Sequence, residues 1–464
     1  MTLRFGTDGV RGVANVELTP ELAMALGRAA ARVLDAGRVG RVVIGRDTRH
    51  SGPMIEAALA AGFAAEGVDV DLLGVVPTPT IAWVCAADGL PGAVISASHN
   101  PFSDNGIKLF AAGGMKLSDA DEERLELQVE NLLRGGPETD DVTPPAGLKV
   151  GQIHSADGQV GRWSDSIIHS VSEPLRPLKV VLDCANGAAS FHAPAIMHRL
   201  GLEVNVLHDT PDGRNINEEC GSTHPVDLQA AVLSHGADIG LAFDGDADRM
   251  LAVDETGALL DGDEIVAMLA KDRQARGLLD DDTVVVTVMS NMGLRLALAD
   301  HGIGVVETQV GDRYVLEALE RGGWLLGGEQ SGHIIFRDLA TTGDGILTGV
   351  QLLDLLSRSN QSLSQLAAAA MVRFPQVLKN VRVAVKASAL VSALSDQVSR
   401  VERDLGERGR VLVRASGTEP VIRVMVEAEE QSAAEAAVDE LVAAVEAGAV
   451  EMSANRSDIS SSQP

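Results

Sequence analysis

One arrangement recurs three times along this chain and constrains its fold more than any other feature: strand, helix, strand, helix, strand, polar loop. The first pass has a strand at Arg41 to Ile44, a helix near Met54 to Ala65 and a strand at Val68 to Leu73. A helix near Thr80 to Ala87 and a strand at Ala93 to Ile95 lead to a loop around Ser98. The second runs through Lys179 to Leu182, a helix near Phe191 to Leu200, Glu203 to Leu207, a helix near Leu228 to Ser234 and Ile239 to Phe243, ending in the loop Asp244 to Arg249. The third runs through Val284 to Val288, a helix near Leu294 to Asp300, Ile303 to Glu307, a helix near Tyr314 to Glu320 and Trp324 to Leu326, ending in the loop Gly328 to His333. Apolar strands alternating with amphipathic helices read as α/β structure with largely parallel sheets. Ligands of such sheets bind beyond the carboxyl ends of the strands. Three polar loops in equivalent slots therefore predict three related domains whose loops converge on one site.

The chain is too long, at 464 residues, for a single core. Beyond Pro375 the pattern changes to a small α+β unit: strand Val381 to Val385, helix Ser388 to Leu405, strands Arg410 to Val413 and Val421 to Val426, and helix Ser432 to Glu446. The expected domains are 1–148, 149–252, 253–370 and 371–450, and the serine-rich segment 451–464 is expected to be disordered.

Charge narrows the partners. Asp and Glu number 66 against 38 Lys and Arg, a formal charge of -28. Nucleic acids and anionic membranes need a basic surface, so both are excluded as partners. A small anionic substrate is not, since a site can be locally positive. The three cysteines, Cys85, Cys184 and Cys220, are widely spaced and form no redox pair or metal-binding motif. With no apolar leader and no membrane-length segment, they point to the cytoplasm.

The loops carry the chemistry. Ser98 follows a buried-type strand, with His99 beside it and Lys108 shortly after, so a nucleophile has acid–base partners nearby. Asp244, Asp246 and Asp248 alternate directly after a strand. Carboxylates so close repel one another and are most easily held ionised by a divalent cation with oxygen preference, Mg²⁺ or Ca²⁺. An EF-hand is ruled out, because Arg249 occupies the glycine position and Met250 to Val253 is an apolar strand. Arg414, Ser416, Gly417 and Thr418, with Arg423 beyond, place two guanidinium groups, two hydroxyls and turn amides in a small volume, a pattern suited to phosphate. Arg11 lies in a glycine-rich segment, Phe5 to Gly12, and is available to an anion. Glu329, Ser331 and His333 suit hydrogen bonding to sugar hydroxyls.

Together these segments resemble the α-D-phosphohexomutase family from end to end. The four signatures occur in order: Ser-Ala-Ser-His-Asn-Pro at 96–101, Asp-Gly-Asp-Ala-Asp-Arg at 244–249, Gly-Glu-Gln-Ser-Gly-His at 328–333 and Arg-Ala-Ser-Gly-Thr-Glu-Pro at 414–420. Shorter segments look most like the bacterial branch acting on glucosamine phosphates: Phe5 to Gly12, Asn215-Ile216-Asn217, Cys220 to His224, Val310 to Tyr314 and Gln330. Ala247 and Phe102 depart from the commoner glycine and tyrosine without removing a ligand or nucleophile. The resemblance implies three similar mixed-sheet α/β domains and a smaller α+β C-terminal domain around a central cleft. It implies a phosphoserine at Ser98, Mg²⁺ held by Ser98, Asp244, Asp246 and Asp248, and a glucosamine 1,6-bisphosphate intermediate. Arg249, Glu329, Ser331 and His333 would then bind the sugar phosphate. Arg414, Ser416, Gly417, Thr418 and Arg423 would hold the distal phosphate. Lys108, Arg11 and His333 are the candidate acid–base groups, unranked. Phosphomannomutase or phosphoglucomutase activity is the nearest alternative, and a serine-dependent phosphatase a more distant one. A non-catalytic binding protein should have lost Ser98 or an aspartate, and none is missing. Pairing as a homodimer is left open.

Overall fold

The computed structural model describes residues 5–6, 9–34, 36–134, 143, 145–156, 158–171, 173–415 and 420–461. The chain forms two compact units. One comprises residues 1–289 and 301–370, the other residues 290–300 and 371–464.

The first unit contains three sheets, and the threefold repeat is visible in their strand order. In the first, Arg41–Arg46 is flanked in parallel by Asp69–Val75 on one side and Gly92–Ile95 on the other, and Asp104–Phe110 returns antiparallel to Gly92–Ile95. In the second, Lys179–Asp183 is flanked in the same way by Glu203–Leu207 and Ile239–Phe243, with Met250–Asp254 returning antiparallel. The third repeats the plan with Thr283–Thr287, Gly304–Thr308, Leu326–Gly328 and the return strand Ile334–Phe336. The expected three related domains are thus one topology used three times.

The sheets are mixed, where strand–helix alternation alone suggested largely parallel ones. The reason is loop length. Each polar loop joins a strand to its antiparallel neighbour, and the joined ends pair as Ile95 with Ile107, Phe243 with Met250, and Gly328 with Ile334. A parallel connection needs about a dozen residues or more. Strands such as Ile239–Phe243 are buried at every residue, because helices cover both sheet faces.

Edges depart from the expected boundaries. Ile153–Ser155 pairs with Asp69–Val75, so the first sheet recruits a strand from beyond residue 148. Leu259–Leu260 hairpins onto Met250–Asp254, so the second sheet extends past residue 252. Helices that the repeat did not predict complete the layers. Pro20–Val33 is capped by the Thr19 hydroxyl, which accepts from Leu22 N at 3.3 Å. Gly345–Arg358 is capped by Asp344, which accepts from Leu347 N at 2.9 Å.

The second unit is a three-stranded antiparallel sheet in which Val421–Ala428 lies between Gln376–Arg382 and Gly409–Ala415. Its core includes Val411, Ile422, Val424, Val426, Val438 and Leu441. The helix expected over 388–405 is two helices, Ala387–Ala393 and Ser395–Leu405, which break at Leu394. The last helix runs from Gln431 to Ser461, not to Glu446, so most of the tail expected to be disordered continues a helix. Neither proline nor further glycine interrupts residues 449–461, which leaves nothing local to stop it. Among the described residues, no helix is long and apolar enough to cross a membrane.

Candidate active site

The turns of the three α/β domains meet in the first unit. Ser98 is buried, with a left-handed backbone at φ 52°. Its Oγ donates to Asp244 Oδ2 at 2.5 Å. Lys108, on the return strand of the first sheet, reaches Asp246 Oδ2 at 2.7 Å and Asp248 Oδ2 at 3.1 Å. Thr78 donates its hydroxyl to Asp246 Oδ2 at 2.5 Å and its amide to Asp246 O at 2.9 Å, joining the first domain to the second. Gly245 makes the approach of the two loops possible, since a Cβ there would stand 2.5 Å from Ser98 O. The second loop meets the third where Met250 N donates to Gly332 O at 3.1 Å and His333 Nδ1 stands 3.9 Å from Asp248 Oδ1.

Asp244, Asp246 and Asp248 are all buried, and an oxygen from each lies within 4.8 Å of the others. Burial, then the charges of Asp248 and Asp246, push Asp244 well above the usual carboxylate range. Burial acts the same way on Asp248, but Lys108, His333 and Arg249 outweigh it and hold that carboxyl well below the range. Among the described residues, Asp246 Oδ1 and Asp248 Oδ1 are buried with no hydrogen-bond partner. Buried lone pairs without donors are costly. One divalent cation would satisfy both while neutralising the repulsion, and the all-oxygen donor set suits a hard ion. The triad fits a divalent metal.

Around this centre the remaining groups take distinct places. His99 Nδ1 is 3.4 Å from Ser98 Oγ and 3.5 Å from Arg249 Nη1. Burial, Arg249 and Arg11 lower its pKa, which favours a neutral ring. Arg11 lies on the strand Val10–Val13, paired with Gly106 in register. His333 is buried. Its Nε2 accepts from Gly343 N at 3.1 Å, so the ring proton sits on Nδ1, toward Asp248. Desolvation opposes charge on this ring, but Asp248, Asp312 and Glu329 raise its pKa overall. The two observations conflict at Nε2, and the backbone donor argues for the neutral ring in this geometry. Glu329 accepts from Gly311 N at 3.1 Å, and burial raises its pKa. Ser331 Oγ is buried with no hydrogen-bond partner among the described residues.

Several contributors were not singled out by sequence reasoning. Arg49, fully buried, donates to the carbonyls of Ser98 and Asn100 at 2.8 Å each, to Asp104 O at 3.0 Å and to Pro101 O. Asp47 holds Arg49 Nε at 2.9 Å and accepts from Ser96 Oγ at 2.7 Å, while Ser96 Oγ accepts from Ser98 N at 2.9 Å. Asn217 Nδ2 adds bonds to Ser98 O at 2.9 Å and Asn100 O at 3.0 Å. A signal for Asp47 and Arg49 was available, since Arg46-Asp47-Thr48-Arg49 is a charged run at the carboxyl end of a central strand.

In the second unit Arg414 and Arg423 are direct cross-strand partners. Like charges placed opposite each other destabilise a sheet unless an anion separates them. Burial, then Arg423, lowers the Arg414 pKa, and Arg414 Nε is buried with no hydrogen-bond partner among the described residues. Ser416, Gly417 and Thr418 lie outside the described residues.

Comparison with known proteins agrees with this construction. Four domains of one family match in order: phosphoglucomutase/phosphomannomutase α/β/α domain I over residues 2–134, domain II over 162–257, domain III over 261–374 and the C-terminal domain over 378–444. The chain is 52% identical over 444 residues to a phosphoglucosamine mutase of Desulforudis audaxviator, covering 95% of this chain and 97% of that one. It is 54% identical over 426 residues to a phosphoglucosamine mutase of Moorella thermoacetica, covering 91% and 94%. Among solved structures, a phosphoglucomutase/phosphomannomutase family protein of Burkholderia thailandensis superposes with a TM-score of 0.79 at 26% identity, covering 96% of this chain and 97% of that one. The chain belongs to the phosphoglucomutase/phosphomannomutase family of phosphohexose-mutating enzymes.

Proposed function

We propose that this chain interconverts glucosamine 6-phosphate and glucosamine 1-phosphate, with Ser98 as the phosphoryl carrier and glucosamine 1,6-bisphosphate as the intermediate. The observation that carries the proposal is Ser98 Oγ, held 2.5 Å from Asp244 in a buried cluster of three carboxylates and Lys108. The choice of glucosamine rests on relatives 52% and 54% identical that are named for that sugar.

Asp244, Asp246, Asp248 and Ser98 would hold Mg²⁺, which when bound supplies positive charge against the phosphoryl oxygens. Phosphoryl transfer needs placement and charge neutralisation more than covalent help. Arg49, Ser96 and Asn217 fix the backbone that aims Ser98. Lys108 brings a buried positive charge within reach of the same centre. In the first half-reaction the Ser98 Oγ–P bond breaks and a sugar O–P bond forms. The attacking hydroxyl gives up a proton and Ser98 Oγ regains one when it leaves. His99 Nδ1 is placed to hold the proton at Ser98 Oγ. The bisphosphate then turns over and returns its other phosphoryl group to Ser98. Glu329 and Ser331 on the third loop orient the sugar hydroxyls, whereas the buried His333, its Nε2 taken by Gly343 N, faces Asp248 and not the sugar.

Arg414 and Arg423 hold whichever phosphate is not reacting. Because the two sugar orientations present either phosphate to one cradle, Arg423→Ala is expected to weaken 1-phosphate and 6-phosphate alike. A lost charge-assisted bond of about 1.5–3 kcal/mol corresponds to roughly tenfold to a hundredfold in affinity. Binding measured with each substrate separately checks this, and a loss confined to one sugar phosphate would show that one cradle does not serve both.

The function itself is tested by assaying the purified chain with glucosamine, mannose and glucose phosphates, and by mapping phosphate on its peptides. Turnover should be fastest with glucosamine phosphates, and phosphate should map to Ser98. Preference for mannose or glucose phosphates would reassign the sugar. Phosphate at Ser96 together with an active Ser98→Ala would remove the nucleophile assignment.

A further inference from the structure

A second group of metal-ligating side chains lies outside the acidic loop. A carboxylate oxygen of Asp183, a ring nitrogen of His208 and the Cys220 sulfur all fall within 4.8 Å of one another. Asp183 ends the strand Lys179–Asp183 of the second sheet, His208 directly follows the neighbouring strand, and Cys220 precedes the short turn Gly221–Thr223. The cysteine spacing concealed this, because the partners of Cys220 are not cysteines and are distant in sequence.

Three observations point to a ligand. First, Cys220 is fully buried, and the Asn217 backbone amide is placed to donate to its sulfur, as it would to a metal-bound thiolate. Second, His208 Nδ1 is buried 3.0 Å from Asp183 Oδ1, and this contact chiefly raises the His208 pKa, so a bound ion would displace the proton that the two groups hold between them. Third, Asp227 Oδ2 stands 3.5 Å from His208 Nε2. A carboxylate on the outer nitrogen of a histidine is the usual support of a metal-binding ring, since it fixes the tautomer that leaves the inner nitrogen free. Asp183 Oδ1 and Oδ2 each accept one backbone amide, from Ala185 at 3.0 Å and Gly221 at 2.9 Å, and each keeps a lone pair. His208 is 26% exposed at its side chain, which gives an ion a way in.

We propose that Asp183, His208 and Cys220 bind a borderline-soft divalent ion of the zinc class, with water completing the tetrahedron. Mixed sulfur, nitrogen and oxygen donors select Zn²⁺ or Co²⁺, whereas the all-oxygen triad at Asp244, Asp246 and Asp248 selects a hard ion. Binding releases the thiol proton of Cys220 to solvent. The ion would clip two strand ends to the loop that carries Asn217. Asn217 N bonds Ala185 O at 2.9 Å, and its side chain supports the Ser98 carbonyl. The site therefore stiffens the rear of the Ser98 loop without touching the reacting atoms.

Co²⁺ titrated into the chain under saturating Mg²⁺ provides the test, read in the near ultraviolet where a thiolate bound to cobalt gives a charge-transfer band. The band should rise to a plateau at a single Co²⁺ per chain and disappear on adding Zn²⁺. It should persist in Cys85→Ala and Cys184→Ala and vanish in Cys220→Ser. Asp227→Asn changes a largely exposed side chain and should weaken the apparent affinity about tenfold to a hundredfold, which keeps the test decisive if Cys220→Ser does not fold. A wild-type chain without the band overturns the proposal. So does a band that survives in Cys220→Ser, or an affinity unchanged in Asp227→Asn.

Discussion

Asp246→Asn is expected to lower turnover by roughly a thousandfold while leaving the fold intact. Asp246 is the carboxylate on which the site is hinged. It takes Lys108 at 2.7 Å and Thr78 at 2.5 Å through Oδ2, and its Oδ1, buried and without a hydrogen bond among the described residues, is left for the proposed ion. Asparagine keeps the shape and removes the charge. The ion is then held by two carboxylates, and Lys108 loses one of its two counter-charges. Charge stabilisation by a bound metal is worth several kcal/mol, and about 4 kcal/mol is roughly a thousandfold in rate. The check is kcat across a Mg²⁺ titration, with thermal unfolding as control. Partial recovery at high Mg²⁺ is expected, because weaker binding can be offset by concentration. A variant with wild-type turnover in chelator-treated buffer would show that the triad is not the metal centre.

Arg49→Leu is expected to destabilise the first unit by about 3–5 kcal/mol, the range for removing one partner of a buried ion pair. Arg49 and Asp47 are both fully buried. Leucine would leave the Asp47 carboxylate without its cation and the carbonyls of Ser98, Asn100, Pro101 and Asp104 without their guanidinium donor. Burial already raises the Asp47 pKa, opposed chiefly by Arg49, so the variant is expected to bind a proton there. Arg49→Lys should recover only part of the loss, since one ammonium cannot reach four carbonyls from a planar fork. Urea unfolding measures the stability. The same variants should lose turnover beyond their loss of folded protein, because Ser98 sits at a positive φ that these bonds hold in place. Wild-type stability in Arg49→Leu would refute the clamp.

Sequence alone determined the repeat, and through it the fold class. Strand and helix periods are local properties, set by which side chains can be buried on a sheet or a helix face. The passes ending at Ser98, Asp244 and Gly328 were therefore legible from hydrophobic spacing, and each reappears with the same strand order. The candidate site residues could be named from the sequence for a related reason. A nucleophile, three close carboxylates and paired arginines are unusual residue choices for turns, and their chemistry can be named before their positions are known.

Tertiary structure decided what depends on contacts between distant segments. The return strands made the sheets mixed, because a short loop can only fold a strand back on its neighbour. Arg49 was not singled out in the sequence, and only its burial under four carbonyls shows that it holds Ser98. His333 read as a candidate sugar-binding and acid–base group, and only the fold shows that Gly343 N occupies its Nε2. Cys220 was one of three widely spaced cysteines with no metal-binding motif, and only the second sheet placed Asp183 and His208 beside it. Each of these outcomes depends on desolvation and distance between residues far apart in the chain, and neither quantity is written in local sequence.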